Sequence, residues 1–234
     1  MRVIVTRPRH RAVRTAARVQ RLGHEPVLLP LTAPVHDLQA AATALARPHA
    51  ALAVTSAEAL HALARCQTDL APHRAGPVFA VGTATARAAT ELGFADVRTG
   101  PGDGRGLAEM IVTDAPDGAL LYLAGRPRSP HFETALAARN IPLDVVELYR
   151  MQPVSYDEAD VRAMLGDPVP DAVLLYSAEA ARLFFKAIGP YSPDPEGMAI
   201  LLIGENLRDR VPRRFHGNVR VAATPDEDGL FALL

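Results

Sequence analysis

Small polar residues follow short apolar runs at four similar turns, and these turns could bind an anion. They read TSAEA (55–59), GTAT (82–85), YSAEA (176–180) and GENL (204–207). The first N–H groups of a helix have no intrahelical acceptor and lie at the positive end of the helix dipole. A turn that opens a helix after a strand can therefore hold a carboxylate or a phosphate on backbone N–H groups alone.

The residues of these turns are candidate ligand-binding residues. They are Thr55, Ser56, Ala57, Gly82, Thr83, Thr85, Ser177, Ala178, Gly204 and Asn206. For any single turn, a serine or threonine that merely caps its helix is the simpler interpretation. Taken as a set at the carboxyl ends of strands, where open α/β sheets bind ligands, they favour a shared ligand cleft.

Other site chemistries fit the sequence poorly. The glycine-rich stretch GPGDGRG (100–106) lacks both the Lys-Ser/Thr of a P-loop and the spacing of a dinucleotide fingerprint. The histidines are scattered without a metal-ligand spacing, and no G-x-S-x-G elbow occurs. Cys66 lies in a predicted helix, where packing is a better interpretation than nucleophilic catalysis. We therefore expect no metal and no cofactor.

Composition excludes several classes of protein. The chain has 234 residues, 49% hydrophobic and 22% charged, which is ordinary for a globular protein and enough for two small domains. A net charge of −1 does not indicate a basic surface that binds nucleic acid. A single cysteine cannot form an internal disulfide, which fits a reducing compartment. The apolar stretch within the first residues, MRVIVTRPRHR, is too short for a signal peptide. No apolar run in the chain approaches the length needed to span a membrane. We expect a cytoplasmic protein that binds neither nucleic acid nor membrane.

Apolar runs alternate with helical patterns along the chain, which predicts a doubly wound α/β fold. The runs are continuous and rich in β-branched residues and leucine, as in strands buried on both faces of a parallel sheet. The predicted strands are 2–6, 51–56, 78–82, 119–125, 171–177 and 198–204. The predicted helices are 10–22, 57–65, 83–92, 105–113, 131–139, 178–188 and 227–233.

Four segments recur in the same order at a spacing of about 120 residues, which indicates a duplicated domain. The matching pairs are 53–64 with 174–185, 78–94 with 199–215, 103–111 with 226–234, and 119–146 with 2–29. Between them, 28–37 and 145–158 occupy equivalent places and are extended, since prolines discourage helix there. These two segments could run side by side and exchange the chain between domains, although two simple tandem domains remain possible.

The ordered motifs together resemble uroporphyrinogen-III synthase over nearly the whole chain. They are VIVTRP, VTSAEAL, AVGTATARAATELG, GRGLAEMI, VVELYRMQP, LLYSAEAARLFF, LLIG and ATPDEDGLFALL. The resemblance implies two flavodoxin-like domains joined by a two-stranded β-ladder. On that basis we expect domain 1 at 1–30 plus 155–234, domain 2 at 37–146, and linker strands at 31–36 and 147–154.

The resemblance also implies an activity and a catalytic residue. The activity is cyclisation of the linear tetrapyrrole hydroxymethylbilane with inversion of ring D and release of water, by a monomer without a cofactor. Loss of the hydroxyl would give an azafulvene cation, and ring D would close through a spiro intermediate. The family points to Tyr149 as the acid, since a phenol is protonated at neutral pH and can donate a proton. Arg7 and Arg126, in comparable turns, could pair with substrate propionates.

Four residues depart from the family pattern. Leu207 replaces a usual threonine three residues after the glycine, Glu58 and its repeat partner Glu179 replace a frequent asparagine, and Asp226 follows the Thr-Pro near the end. They motivate an alternative: a diverged relative that binds a tetrapyrrole or another small polyacid as a sensor, or that acts on a different substrate. A third possibility, a periplasmic-type binding protein, is disfavoured because the sequence begins without a signal-peptide pattern.

Overall fold

The computed structural model describes residues 1–114, 118–166, 168–189 and 197–234. Its contacts divide the chain into two compact units. Unit 1 is Met1–Ala33 together with Gln152–Leu234, and unit 2 is Pro34–Met151. No described helix is long and apolar enough to cross a membrane.

The described elements alternate between strand and helix for most of the chain. The strands are β1 (Arg2–Val5), β2 (Glu25–Leu28), β3 (Thr32–His36), β4 (Ala51–Val54), β5 (Pro77–Ala80), β6 (Asp96–Thr99), β7 (Leu120–Arg126), β8 (Leu143–Pro153), β9 (Ala172–Leu175), β10 (Ala199–Leu202) and β11 (Val219–Val221). The helices are α1 (Arg9–Arg21), α2 (Leu38–Leu45), α3 (Ala57–Arg65), α4 (Ala71–Arg74), α5 (Thr83–Glu91), α6 (Gly104–Asp114), α7 (His131–Ala137), α8 (Glu158–Leu165), α9 (Ala178–Ile188) and α10 (Glu227–Phe231). Two 3₁₀ helices are Glu205–Arg210 and Arg213–Asn218.

The sheets of the two units share one strand order, which confirms the predicted fold class and repeat. In unit 1 the parallel order is β2-β1-β9-β10-β11, the flavodoxin-like arrangement. In the six-stranded sheet of unit 2, the parallel part reads β8-β7-β4-β5-β6. The sequence repeat matches these orders strand for strand: β7 with β1, β8 with β2, β4 with β9, β5 with β10 and β6 with β11. The extended segment at β3 completes this sheet beside β8.

Both sheets are buried on two faces because their central strands carry apolar residues at successive positions. In β1 of unit 1, Val3 and Val5 pack in one cluster while Ile4 packs in the other. In β4 of unit 2, Leu52 and Val54 likewise face the cluster opposite to that of Ala51 and Ala53. Since side chains alternate across a strand, a continuous apolar run requires helices on both sides of the sheet. Full burial of such a side chain stabilises the fold by about 1.5–3 kcal/mol.

The structure also contains elements that the sequence patterns did not predict. They are helices α2, α4 and α8 and the short strands β2, β6 and β11. The segment after β10 repeats the sequence of α5 but forms the two 3₁₀ helices instead of one α-helix. Pro212 lies between them, and a proline has no N–H with which to continue a helix.

Each copy of the repeat has an Asp-x-x-Gly pattern where its last helix begins, and the packing around Gly229 gives the reason. Asp226 caps α10, and its Oδ1 accepts a hydrogen bond from the Gly229 N–H at 2.7 Å. A Cβ on Gly229 would lie 2.3 Å from the carbonyl oxygen of Thr224, so the preceding loop packs directly on the helix backbone. The other half has the same arrangement, with Asp103 bonded to Gly106 at 2.9 Å and with Pro101 packed against that glycine.

We expect Gly229→Ala to destabilise unit 1 by about 1–3 kcal/mol, since the added methyl group meets backbone that cannot move aside easily. The unfolding midpoint in urea measures the effect. Gly217→Ala is the matched control, because a Cβ there meets nothing within 4 Å. Equal midpoints for the two variants would contradict the packing role of Gly229.

Candidate functional site

The carboxyl edge of the unit 2 sheet carries the predicted site residues of that unit. Its strands β8, β7, β4 and β5 are parallel neighbours, so the residues at their carboxyl ends share one edge. Tyr149 lies in β8, Arg126 ends β7, Ser56 follows β4 and Gly82 follows β5. The structure therefore brings together within this unit residues that are far apart in sequence.

The turn before α3 uses its hydroxyl groups within the protein. Ser56 caps α3, and its Oγ accepts from the Glu58 N–H at 3.2 Å, so the capping interpretation holds for this side chain. The Oγ1 of Thr55 lies 2.7 Å from the hydroxyl of Tyr122 in β7. Burial raises the pKa of Tyr122, so this phenol stays protonated. In this turn the backbone N–H of Ala57, the first residue of α3, remains the candidate donor for a ligand.

The turn before α5 differs because no side chain caps the helix. Gly82 is extended, with φ −173°, and has no side-chain oxygen for the first N–H groups, although its carbonyl oxygen accepts from the Thr85 N–H at 3.0 Å. Thr83 is exposed in the first turn, whereas Thr85 is only 5% exposed. The Gly102 backbone approaches within 3.4 Å of the position that a Cβ on Gly82 would occupy. This helix start is therefore the most open of the anion-binding candidates in unit 2.

The ring of Tyr149 lies directly on the backbone of Gly125. The pairing of β7 with β8 shifts between Ala124 and Gly125, which places Gly125 opposite Tyr149. A Cβ on Gly125 would lie 2.1 Å from Cζ of Tyr149 and 2.4 Å from its hydroxyl oxygen. Glycine is thus required for the phenol to occupy this place at the strand end.

Tyr149 also lines a cavity of about 540 Å³ within unit 2. The other lining residues are Val35, His36, Asp37, Leu38, Gln39, Glu147 and Arg150. Two of the carboxylates have defined partners. Asp37 caps α2 by accepting from the Ala40 N–H at 2.9 Å, and Glu147 accepts from Arg128 at 2.6 Å. The pKa of Arg128 is raised by its bonds to Glu133 and Glu147.

Glu58 and Glu179, the paired departures from the family pattern, have different surroundings. Glu58 is 5% exposed, and its carboxylate lies 2.7 Å from Nε2 of His36 and 3.6 Å from Nδ1 of His61. Glu179 is exposed and pairs at 2.5 Å with Arg182 on its own helix, which lowers the pKa of the carboxyl. Each acid therefore has a partner that accounts for its charge.

The carboxyl edge of the unit 1 sheet carries the remaining candidates. Arg7 follows β1, and Ser177 caps α9, accepting from the Ala180 N–H at 3.1 Å. Ala178 is the first residue of α9, and Gly204 and exposed Asn206 begin the 3₁₀ helix after β10.

Leu207, in the place that Thr85 has in the other half, is 3% exposed and packs in the unit 1 core. The departure at this position is thus a packing residue. Asp226, another departure, caps α10, and its bond from Gly229 lowers the pKa of its carboxyl.

Sequence reasoning missed a charged cluster in unit 1 that is centred on Glu227. Its Oε1 accepts from Nη1 of Arg7 at 2.7 Å, from Thr15 at 2.5 Å and from Tyr176 at 3.3 Å, and its Oε2 accepts from Arg18 at 3.0 Å. Burial favours the neutral acid, but the Thr15 bond and the Arg7 charge outweigh it, and the pKa of Glu227 is lowered. Tyr176 lies in the YSAEA turn and Glu227 in the motif ATPDEDGLFALL, but neither motif indicated that these two residues meet.

The two candidate arginines differ in how firmly they are held. Arg7 has a side chain 23% exposed, while that of Arg126 is 72% exposed and lies 3.7 Å from Glu147. Among the described residues, no group of three or more His, Cys, Asp or Glu could hold a metal ion.

Comparison with known proteins then establishes the family. The family model for uroporphyrinogen-III synthase HemD matches residues 13–232. The chain belongs to the uroporphyrinogen-III synthase family. It is a cyclising lyase of tetrapyrrole biosynthesis, as the sequence motifs predicted.

Solved structures share the fold. The uroporphyrinogen-III synthetase of Helicobacter pylori 26695 is 17% identical with a TM-score of 0.60, covering 100% of this chain and 98% of that chain. A mutant uroporphyrinogen III synthase of the extremely thermophilic bacterium Thermus thermophilus is 21% identical with a TM-score of 0.52, covering 99% of this chain and 96% of that chain. A search of curated proteins found no significant match.

We expect Glu58→Ala to destabilise unit 2 by about 1–3 kcal/mol, because it leaves buried His36 without the partner of its Nε2. Thermal unfolding of the purified variant measures the loss. Glu179→Ala, which removes the exposed acid at the repeat-related position, should change stability by less than about 0.5 kcal/mol. A Glu58→Ala variant as stable as Glu179→Ala would show that the buried pair contributes little.

Proposed function

We propose that this enzyme cyclises hydroxymethylbilane to uroporphyrinogen III with Tyr149 as the proton donor and with backbone N–H groups as the main carboxylate ligands. The observation that carries the proposal is the position of Tyr149: its ring rests on Gly125 at the carboxyl edge of a sheet and faces a cavity of about 540 Å³. A strand-held phenol beside open space is suited to donate a proton to a bound substrate.

The substrate has acetate and propionate groups on each ring, so it needs many mild contacts. Helix starts at Ala57, Thr83 and Ala178 offer N–H donors, and the dipole of each helix favours a negative group there. The uncapped start of α5 has the most donors to offer, because Gly82 leaves them unbonded by a side chain. Such contacts bind carboxylates without surrounding the substrate with fixed positive charge.

The reaction requires the enzyme to donate one proton to the substrate and later to accept one from it. In our proposal the Tyr149 hydroxyl donates to the leaving hydroxyl, which departs as water and leaves the azafulvene cation. Ring D attacks through its substituted carbon, the spiro intermediate fragments, and the chain recloses with ring D inverted. The pyrrole carbon that forms the last bond then releases a proton, which restores the phenol. Most of the catalytic effect lies in holding the chain so that the inverted closure is faster than the direct one.

The departures from the family pattern do not favour a sensor or a different substrate. Leu207 packs in a core, Asp226 caps a helix, and Glu58 pairs with His36. Each has a structural role that leaves the edge of its own sheet available. The low net charge and the single cysteine support our inference of a cytoplasmic protein that binds no nucleic acid, and the family resemblance suggests a monomer.

The test of the activity is to incubate the purified protein with freshly made hydroxymethylbilane and to separate the product isomers by chromatography. We expect the type III isomer to dominate. Without enzyme the linear chain closes to the type I isomer, so an unchanged type I background would refute the proposed activity.

Tyr149→Phe should lower kcat by about 10- to 100-fold, near the lower end of the range for a lost general acid, and should leave thermal stability almost unchanged. The rate of type III formation measures it. Tyr156→Phe is the matched control, since that hydroxyl donates to the Pro30 carbonyl at 2.8 Å and does not line the cavity. If both variants keep the wild-type rate, Tyr149 is not the acid.

A further inference from the structure

Arg7 is held in a fixed orientation by groups from three other parts of unit 1. Its Nη1 donates to Glu227 at 2.7 Å and lies 3.4 Å from the Thr15 hydroxyl oxygen. Its guanidinium carbon lies 4.6 Å from the ring centroid of Tyr176, so the plane stacks on an aromatic face. A long side chain that normally samples many rotamers is thereby restricted at the carboxyl end of β1.

The contacts use only one side of the guanidinium. Both hydrogen bonds involve Nη1, and the described part of the chain offers no partner for Nε or Nη2. These two N–H donors form the side-on edge of the guanidinium, which matches the two oxygens of a carboxylate. The side chain is 23% exposed, so the protein does not bury it completely.

Glu227 contacts a second guanidinium group besides that of Arg7. Its other oxygen accepts from Arg18 at 3.0 Å, and Arg18 stacks on Phe231 with its guanidinium carbon 4.4 Å from the ring centroid. Glu227 is therefore shared by two guanidinium groups, of which Arg18 has a second acidic partner, since it also donates to exposed Asp228. Because Glu227 also accepts from Thr15, its oxygens are already occupied and do not compete for the free edge of Arg7.

We propose that Glu227 is a positioning residue that turns the Nε–Nη2 edge of Arg7 toward a substrate carboxylate and makes Arg7 the principal side-chain anchor for a carboxylate in unit 1, beside the backbone N–H donors. The proposal rests on the proposed function, because it takes the polycarboxylate substrate as given. Among the described residues Arg126 has no equivalent support, since its exposed side chain reaches Glu147 alone, at 3.7 Å. The two arginines, although alike in sequence context, should therefore contribute unequally to binding.

The test measures KM and kcat for type III isomer formation in single and double variants. Arg7→Ala should raise KM about 30-fold, as expected when charge-assisted hydrogen bonds to one carboxylate are lost, with little change in kcat. Arg7→Lys should behave nearly like Arg7→Ala, because an ammonium keeps the charge but lacks the side-on edge. Glu227→Gln keeps the size of the side chain and should raise KM about fivefold by loosening Arg7.

Two comparisons separate positioning from general damage. In the double variant Arg7→Ala/Glu227→Gln, KM should equal that of Arg7→Ala, since Glu227 acts only through Arg7. Glu158→Gln removes an exposed acid that pairs at 2.6 Å with Arg162 in the same unit, and it should leave KM unchanged. Thermal melts of all variants establish that they are folded under assay conditions.

The outcomes are distinguishable. A wild-type protein that forms no type III isomer refutes the proposed function itself. A wild-type protein that forms the type III isomer, with a Glu227→Gln variant whose KM is unchanged or lower, refutes the positioning role. A rise in KM for Arg126→Ala as large as that for Arg7→Ala would refute Arg7 as the principal anchor. The predicted order of KM, with Arg7→Ala above Glu227→Gln and the double variant equal to Arg7→Ala, supports it.

Discussion

The parallel alignment of the central strands in each sheet is the constraint on which the candidate site depends. In unit 2 the register of β4 with β7 and β5 holds three strand ends at one edge, and the turns that follow them open onto that edge. In unit 1, β1, β9 and β10 do the same. Shifting one strand by a residue would exchange its two buried faces, so the apolar cores fix the register and with it the position of each turn. The site is thus positioned by hydrophobic packing, although its chemistry is polar.

Sequence patterns predicted the features that depend on local chemistry. Buried strands have continuous apolar runs, helix starts have serine or glycine, and a duplicated domain repeats both in order. Ser56 and Ser177 illustrate this, since each caps its helix in the structure. The sequence patterns did not single out helices α2 and α8, each 8 residues long. The segment after β10 forms two 3₁₀ helices despite its similarity to α5, since Pro212 interrupts it.

Long-range contacts could not be predicted from local patterns. Glu227 meets Arg7 across 220 positions of sequence, and Glu58 meets His36 in a strand with no polar motif of its own. The place of Tyr149 depends on a shift in strand pairing opposite Gly125, and a glycine in an apolar run gives no sign of such a shift. The family resemblance supplied Tyr149 as a candidate, but only the structure supplies the reason for a glycine beside it.

The two halves of the chain show how a duplicated frame can diverge in chemistry. The sheets have the same order, and Asp-x-x-Gly opens the last helix of each half. The strands that end in the two arginine turns differ in length, since β1 is 4 residues long and β7 is 7. The longer strand brings Gly125 opposite Tyr149 and leaves Arg126 exposed, whereas the shorter one leaves Arg7 beside α1 and α10. Both sheets thus keep one strand order, while one unit has Gly125 paired with Tyr149 at its strand end and the other has Arg7 bonded to Glu227.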